Sequence, residues 1–202
     1  MPPMAEAAVR IPKERRQRDV SRQASRTAIL DAARRVAARD GARDLSLRGV
    51  AAEAGFAPAA LYGYFRNKDE LLLALAADDL TSLARAMRGS GAGLAGAGAV
   101  ALELLRGTET MAAASAALTG TPDGSKTNDA ERLFNGRLIA ALKALSDASG
   151  LPSDSRESQC DVVLVAASLV GLALLARSGR LKTLGFTPDE MIARLDGRFR
   201  GA

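Results

Sequence analysis

The 202-residue sequence predicts an all-α protein, with an N-terminal three-helix domain containing a helix-turn-helix and a larger C-terminal helical domain. Three observations predict it. Hydrophobic residues make up 48% of the chain but aromatics only 3%, and alanine supplies much of the difference. Closely packed helices can use such a composition, whereas a sheet would need more Val, Ile, Tyr and Phe. Apolar residues recur in steps of three and four, and no stretch alternates convincingly with a period of two. Helix-start signals also recur: Ser46, Asn67 with Glu70, Asn128 with Glu131, and Thr187 with Glu190.

The division is a basic arm over 1–24, the helix-turn-helix domain over 25–70, and the remainder over 71–202. Pro2, Pro3 and Pro12 punctuate the arm, and Arg10, Lys13, Arg15, Arg16, Arg18 and Arg22 make it basic. It reads as disordered, either solvated or lying along phosphates. Helix one spans 25–40, with Ile29, Ala32, Ala33 and Val36 as its apolar stripe and Gly41 as its stop. Arg26, Arg34, Arg35 and Arg39 face outward, mostly into solvent, and Arg26 is best placed to reach a polyanion.

Residues 46–68, SLRGVAAEAGFAPAALYGYFRNK, contain two short helical patterns about a tight turn. Leu47, Val50, Ala51 and Ala54 form the first stripe; Ser46 caps it and Gly55 stops it. Pro58 opens the second pattern. Its buried side is Ala60, Leu61, Tyr64 and Phe65, leaving Ala59, Tyr62 and Gly63 outward. A plain helical hairpin and a DNA-reading helix-turn-helix share this pattern.

Asn67 and Glu70 start helix four, which reaches about Met87. Residues 88–98, RGSGAGLAGAG, hold five glycines and read as a flexible loop. Their Gly91-x-Gly93-x-x-Gly96 spacing lacks the preceding strand a dinucleotide fold requires. Residues 99–119 are one or two alanine-rich helices broken near Gly107, and 120–127 a loop. A capped helix follows from Asn128 to about Ala148. Pro152-Ser153-Asp154 opens the next, which runs through Cys160 and Ala176. The last has Pro188 at its first position, with Phe186 placed to staple against Met191.

Charge and chemistry narrow the function. The net charge of +5 lies entirely in residues 1–90, where 16 Lys and Arg stand against 11 Asp and Glu; residues 91–202 hold 12 of each. That favours a polyanionic partner, DNA before RNA or a membrane surface. Histidine is absent, which removes Ser-His and Cys-His catalysis and His-ligated metal sites. No nucleophile–base pair, metal cluster or phosphate loop points to an enzyme, a metal or a cofactor. Cys160 is the lone cysteine, which fits a reducing cytoplasm. The apolar run Val162–Ala176 falls short of the ~20 residues a bilayer needs.

The string GVAAEAGFAPAALYGYFRNKDELLLAL resembles the signature of the tetracycline-repressor (TetR) family of bacterial transcription regulators. Gly55, Leu61, Tyr62, Phe65, Asn67 and Lys68 fall at that family's spacing, and the resemblance extends from about Ser25 to Leu83. It implies a cytoplasmic, small-molecule-responsive repressor that binds a palindromic operator in double-stranded DNA as a homodimer; the alternative is a TetR-fold interaction protein with little or no DNA binding. It implies phosphate contacts for Tyr62, Tyr64 and Lys68, with Ser46 and Arg48 beginning helix two.

The recognition helix departs from the family pattern. Ala57, Pro58, Ala59 and Ala60 replace residues that donate to base edges, and they can offer only apolar contact to thymine methyls. Base discrimination would then lean on Arg48, Tyr62, the arm and DNA shape. Gly49 is a second departure, with a cost of ~1 kcal/mol against alanine in a helix. The resemblance further implies dimerisation through the last two long helices, where Ala166, Ala167, Ser168, Gly171 and Ala173 would allow close approach. It also implies a ligand pocket behind helix four, with candidate liners Leu104, Met111, Phe134 and Leu138.

Overall fold

The computed structural model describes residues 13–91, 93–107, 113 and 129–199, and among these it contains helices and no strand. In chain order the helices are α1 (Lys13–Asp40), α2 (Leu47–Ala54), α3 (Pro58–Leu61), α4 (Lys68–Gly89), α5 (Gly93–Gly107), α6 (Asp129–Ser149), α7 (Arg156–Arg177), α8 (Arg180–Thr183) and α9 (Pro188–Phe199). Met111, Asn128 and the loop expected over 120–127 lie outside the described residues, as does Arg10.

Two hydrophobic cores organise the chain. The first gathers Ile29, Ala33 and Val36 of α1, Val50 and Ala51 of α2, Leu61 of α3 and Phe65 against Leu71, Leu72, Ala74 and Leu75 of α4. The second gathers Leu73, Ala76, Ala77, Leu80, Ala84 and Met87 of α4 with buried residues of α5, α6 and α7. Helix α4 therefore belongs to both. It is apolar nearly all round between Leu71 and Ala77, as a helix enclosed on every side must be.

Two expectations from sequence are corrected here. Helix α1 begins at Lys13, so residues 13–24 are helical rather than a disordered arm. Arg, Gln and Lys lose little rotamer freedom in a helix, so this polar start extends the helix that packs from Ile29 onward. The glycine-rich stretch is also helical from Gly93 onward. A Cβ at Gly98 would lie 3.2 Å from Ile192 Cγ2 and 3.4 Å from Leu169 Cδ2. Packing thus overrides the poor helix propensity of glycine, because only its bare backbone lets α5 approach α7 and α9 this closely.

Helix α7 opens at Arg156 with Ser155 as its cap, slightly later than Pro152-Ser153-Asp154 suggested. Its 22 residues extend past the short apolar run read from sequence and correct that expectation: by length and composition the helix is long and apolar enough to cross a bilayer. Val162, Val165, Leu169, Leu172 and Ala173 commit one side of it to the C-terminal core. The opposite side bears Val163, Leu164, Val170 and Leu174, each between 49% and 58% exposed. Ala167 and Gly171 lie between them and are also exposed.

Candidate nucleic-acid interface

Local chemistry builds the helix-turn-helix. The Ser46 hydroxyl accepts from Gly49 N at 3.1 Å and caps α2. An added Cβ at Gly49 would meet Ser46 Oγ at 3.2 Å, so glycine leaves the capping hydroxyl room. Gly55 closes α2 in the left-handed conformation at φ 72°. Phe56 N then donates back to Ala51 O at 2.9 Å, which turns the chain toward α3. Phe56 meets Tyr64 edge to face, with ring centroids 6.3 Å apart.

Only Pro58–Leu61 is regular α-helix; Tyr64 N and Phe65 N both donate to Leu61 O, tightening the chain into a turn. Leu61 and Phe65 are buried beneath it. Ala57, Pro58, Ala59 and Ala60 are all exposed. Ala60 therefore belongs to the outer surface and not to the buried side expected from spacing, since the helix is too short for a full inner stripe. Ser46, Arg48 and Tyr62 are exposed beside them, and Tyr64 is half-buried. The exposed residues of the helix-turn-helix thus offer small apolar side chains, two hydroxyls and a guanidinium.

The basic residues fare unequally. The Lys68 ammonium donates to the Arg43 carbonyl. Arg26 is half-buried, its guanidinium 5.1 Å from the centre of the Phe65 ring. Burial lowers its pKa, opposed by the charges of Asp78 and Glu70. Of the arginines read as solvated, Arg35 and Arg39 are exposed and Arg34 is half-buried, and all three also reach a neighbouring helix. Arg34 donates to Asp78 at 2.5 Å and to Asp79 at 3.0 Å, joining α1 to α4. Arg35 and Arg39 both reach Glu53 of α2, at 2.7 and 3.2 Å. Their partners are far off in sequence, so no local signal announced them. At the start of α4, Asn67 accepts from Glu70 N at 2.8 Å, and the Glu70 carboxylate accepts from Arg66 N at 2.7 Å.

Residues 29–75 match the family described as bacterial regulatory proteins, tetR family. The N-terminal domain is of the tetR family. Over 62 residues the chain is 47% identical to the HTH-type nicotine-responsive transcriptional repressor HdnoR of Paenarthrobacter nicotinovorans, a match spanning 31% of this chain and 32% of that one. The chain thus spans about a third of the length of that curated relative. The fold likeness runs further. A TetR transcriptional regulator from Rhodococcus sp. RHA1 superimposes with a TM-score of 0.67 at 20% identity, covering 88% of this chain and 97% of the other. The transcriptional regulator FadR from Bacillus subtilis, solved in complex with stearoyl-CoA, gives 0.55 at 17% identity, covering 85% and 95%. The tetR-type fold therefore extends through both cores.

Behind the tetR-type domain lies a small cavity of about 70 Å³ between α4, α5, α6 and α7. Leu80, Met87, Leu105, Leu138, Leu142 and Leu169 are among its walls, and its lining is wholly apolar. Of the candidate liners, Leu138 faces this space. Phe134 is buried in the second core without lining it. Leu104 is 38% exposed. The inner line of α5 runs through Leu94, Ala97, Ala101 and Leu105, so Leu104 falls one residue off it. An open groove of about 620 Å³ runs between α6 and α7, lined by Ile139, Leu142, Val163 and Leu164 together with Lys143 and Arg156.

Proposed function

We propose that this chain is a dimeric transcriptional repressor that binds a palindromic operator and is released by a small apolar effector. The observation that carries the reading is the exposure of Ser46, Arg48, Ala57–Ala60 and Tyr62 on a tetR-type helix-turn-helix. Tyr62, Tyr64 and Lys68 hold phosphates, and Arg48 and Tyr62 carry most of the base discrimination. Helix α3 offers thymine methyls only Pro58 and its alanines. One such short helix reads few base pairs; two related by a two-fold axis read a longer site in successive major grooves.

The exposed stripe of α7 supports the pairing of two copies, since four large apolar side chains in line on one helix favour a partner surface. The second domain then begins within α4, near residue 71. The apolar cavity supports an effector without charge, and the acyl chain bound by FadR makes fatty acyl compounds reasonable first probes. A ligand larger than about 70 Å³ has to part α4 from α6 or α7, and α4 carries the displacement to the helix-turn-helix. Such a regulator works in the cytoplasm, where the DNA is. A second reading, a tetR-type fold that has lost DNA binding, is favoured by the start of α3, where Ala57, Pro58, Ala59 and Ala60 carry no side-chain donor.

Selection of bound fragments from random duplex DNA tests the choice. The repressor reading expects a palindrome with half-sites about one helical turn apart. Arg48→Ala and Tyr62→Ala should each weaken binding about tenfold and relax the sequence preference. Recovery of unenriched fragments would support the second reading instead.

A further inference from the structure

The N-terminal extension of α1 is a candidate contact surface in its own right. Arg15, Arg18, Arg22 and Arg26 follow one another in steps of three and four residues, so they share one side of the helix. The same line continues through Ile29, Ala33 and Val36, which are buried against the helix-turn-helix. The side of α1 that packs on the DNA-reading unit thus becomes arginine where that unit ends. The changeover is visible residue by residue. Arg26 lies over the Phe65 ring. Arg22 donates to the Gly63 carbonyl at 3.2 Å, with its guanidinium 5.5 Å from the centre of the Tyr64 ring. From Arg15 to Arg22 every residue is exposed, and Arg15 and Arg18 have no ion-pair partner among the described residues.

We infer that this arginine ridge clamps the phosphates of duplex DNA just outside each half-site, as a preformed helix. The inference rests on the DNA-binding reading above. Charge complementarity identifies the occupant: a line of guanidiniums overhanging the tyrosines assigned to phosphate fits a continuing phosphate backbone. Arg22 and Arg26 brace the ridge, and Arg15 and Arg18 make the contact. From Arg22 to Arg15 the helix advances about 10 Å, or about three base pairs of duplex. A flexible arm of the same charge would have to be ordered on binding; this helix is already ordered.

The test compares wild type, Arg15→Ala/Arg18→Ala and Val20→Pro on the best selected duplex, with affinity measured across a salt series and by footprinting. The double variant should bind about tenfold or more weakly at 0.1 M salt. For a dimer its log–log salt slope should be shallower by about 3.6, four phosphates at about 0.9 each. Its footprint should lose about three base pairs at each outer edge, while sequence preference stays unchanged, because phosphate contacts carry no sequence information. Val20 is exposed and outside both cores, so Val20→Pro breaks the ridge without removing charge or disturbing the domain. It should lose the outer footprint as the double variant does. If the double variant keeps the wild-type slope and footprint, the ridge does not touch DNA. If Val20→Pro alone behaves as wild type, the contact is a flexible arm and the preformed helix is overturned. If wild type itself prefers no duplex, the DNA reading falls, and this inference with it.

Discussion

The two cores are held in register by different means. Around the first, ion pairs cross between helices: Arg34 to Asp78 and Asp79, and Arg35 and Arg39 to Glu53. In the second region, the pairs Arg106–Glu103, Arg132–Asp129 and Lys143–Asp147, among the described residues, each lie within a single helix. Helix contacts there are set by small residues, Gly98 against Ile192 and Leu169 above all. Directional bonds fix a geometry, as a surface that must match a groove requires. Shape-matched apolar packing fixes a spacing but leaves fewer specific bonds to break when helices shift. The contrast suits a rigid reader in front and an adjustable body behind.

Breaking the pairing face should have the largest effect. Leu174→Asp places a carboxylate on the exposed stripe of α7, at a side chain 57% exposed in the single chain. In a dimer it should cost about 3 kcal/mol, a shift of about two orders of magnitude in the dissociation constant. Sedimentation across a concentration series reads this. An unchanged mass distribution would mean that α7 keeps its apolar face for something other than a second copy.

Gly98→Val sharpens the claim that shape holds the second region. The new side chain collides with Ile192 and Leu169, so a destabilisation of about 1–3 kcal/mol is expected by thermal melting. Adding Ile192→Ala should restore part of the loss, and a melting temperature indifferent to both changes would show the contact to be slack.

The smallest effect belongs to the ion pairs of the first region. Hydrogen bonds from Arg35 and then Arg39 hold the Glu53 carboxyl below its ordinary value of 4.5. A depressed carboxylate stabilises the fold above its unfolded pKa, and that support disappears as the pH falls through the folded value. Wild type should therefore lose more stability than Glu53→Gln between about pH 5 and pH 3. The arginines are exposed and Glu53 is only partly covered, so salt should narrow the difference. Parallel acid melts of the two proteins would refute the ion-pair account of α1 on α2.

What the sequence disclosed divides along the same line as locality. The cap of α2 at Ser46, its stop at Gly55 and the Asn67–Glu70 start of α4 were legible, because each is written within four residues. So was the tetR-type signature, which is one continuous string. The extension of α1 was not, since a helix polar on all sides shows no apolar period. The helical Gly93–Gly98 stretch was hidden because its reason lies in Ile192, most of a hundred residues away. The partners of Arg34, Arg35 and Arg39 were hidden likewise. Of the candidate contact residues, exposure at Ser46, Arg48, Ala57, Ala59 and Tyr62 follows from short-range spacing. The engagement of Lys68 with the Arg43 carbonyl does not.

Helix α4 supplies a wall to each of the two cores, with Leu72 turned into one and Leu73 into the other. Neither half can come apart without stripping the other of its wall. Denaturation of this chain should then be a single cooperative event, although its sequence reads as two units, and a lesion confined to the rear domain should weaken the front one as well.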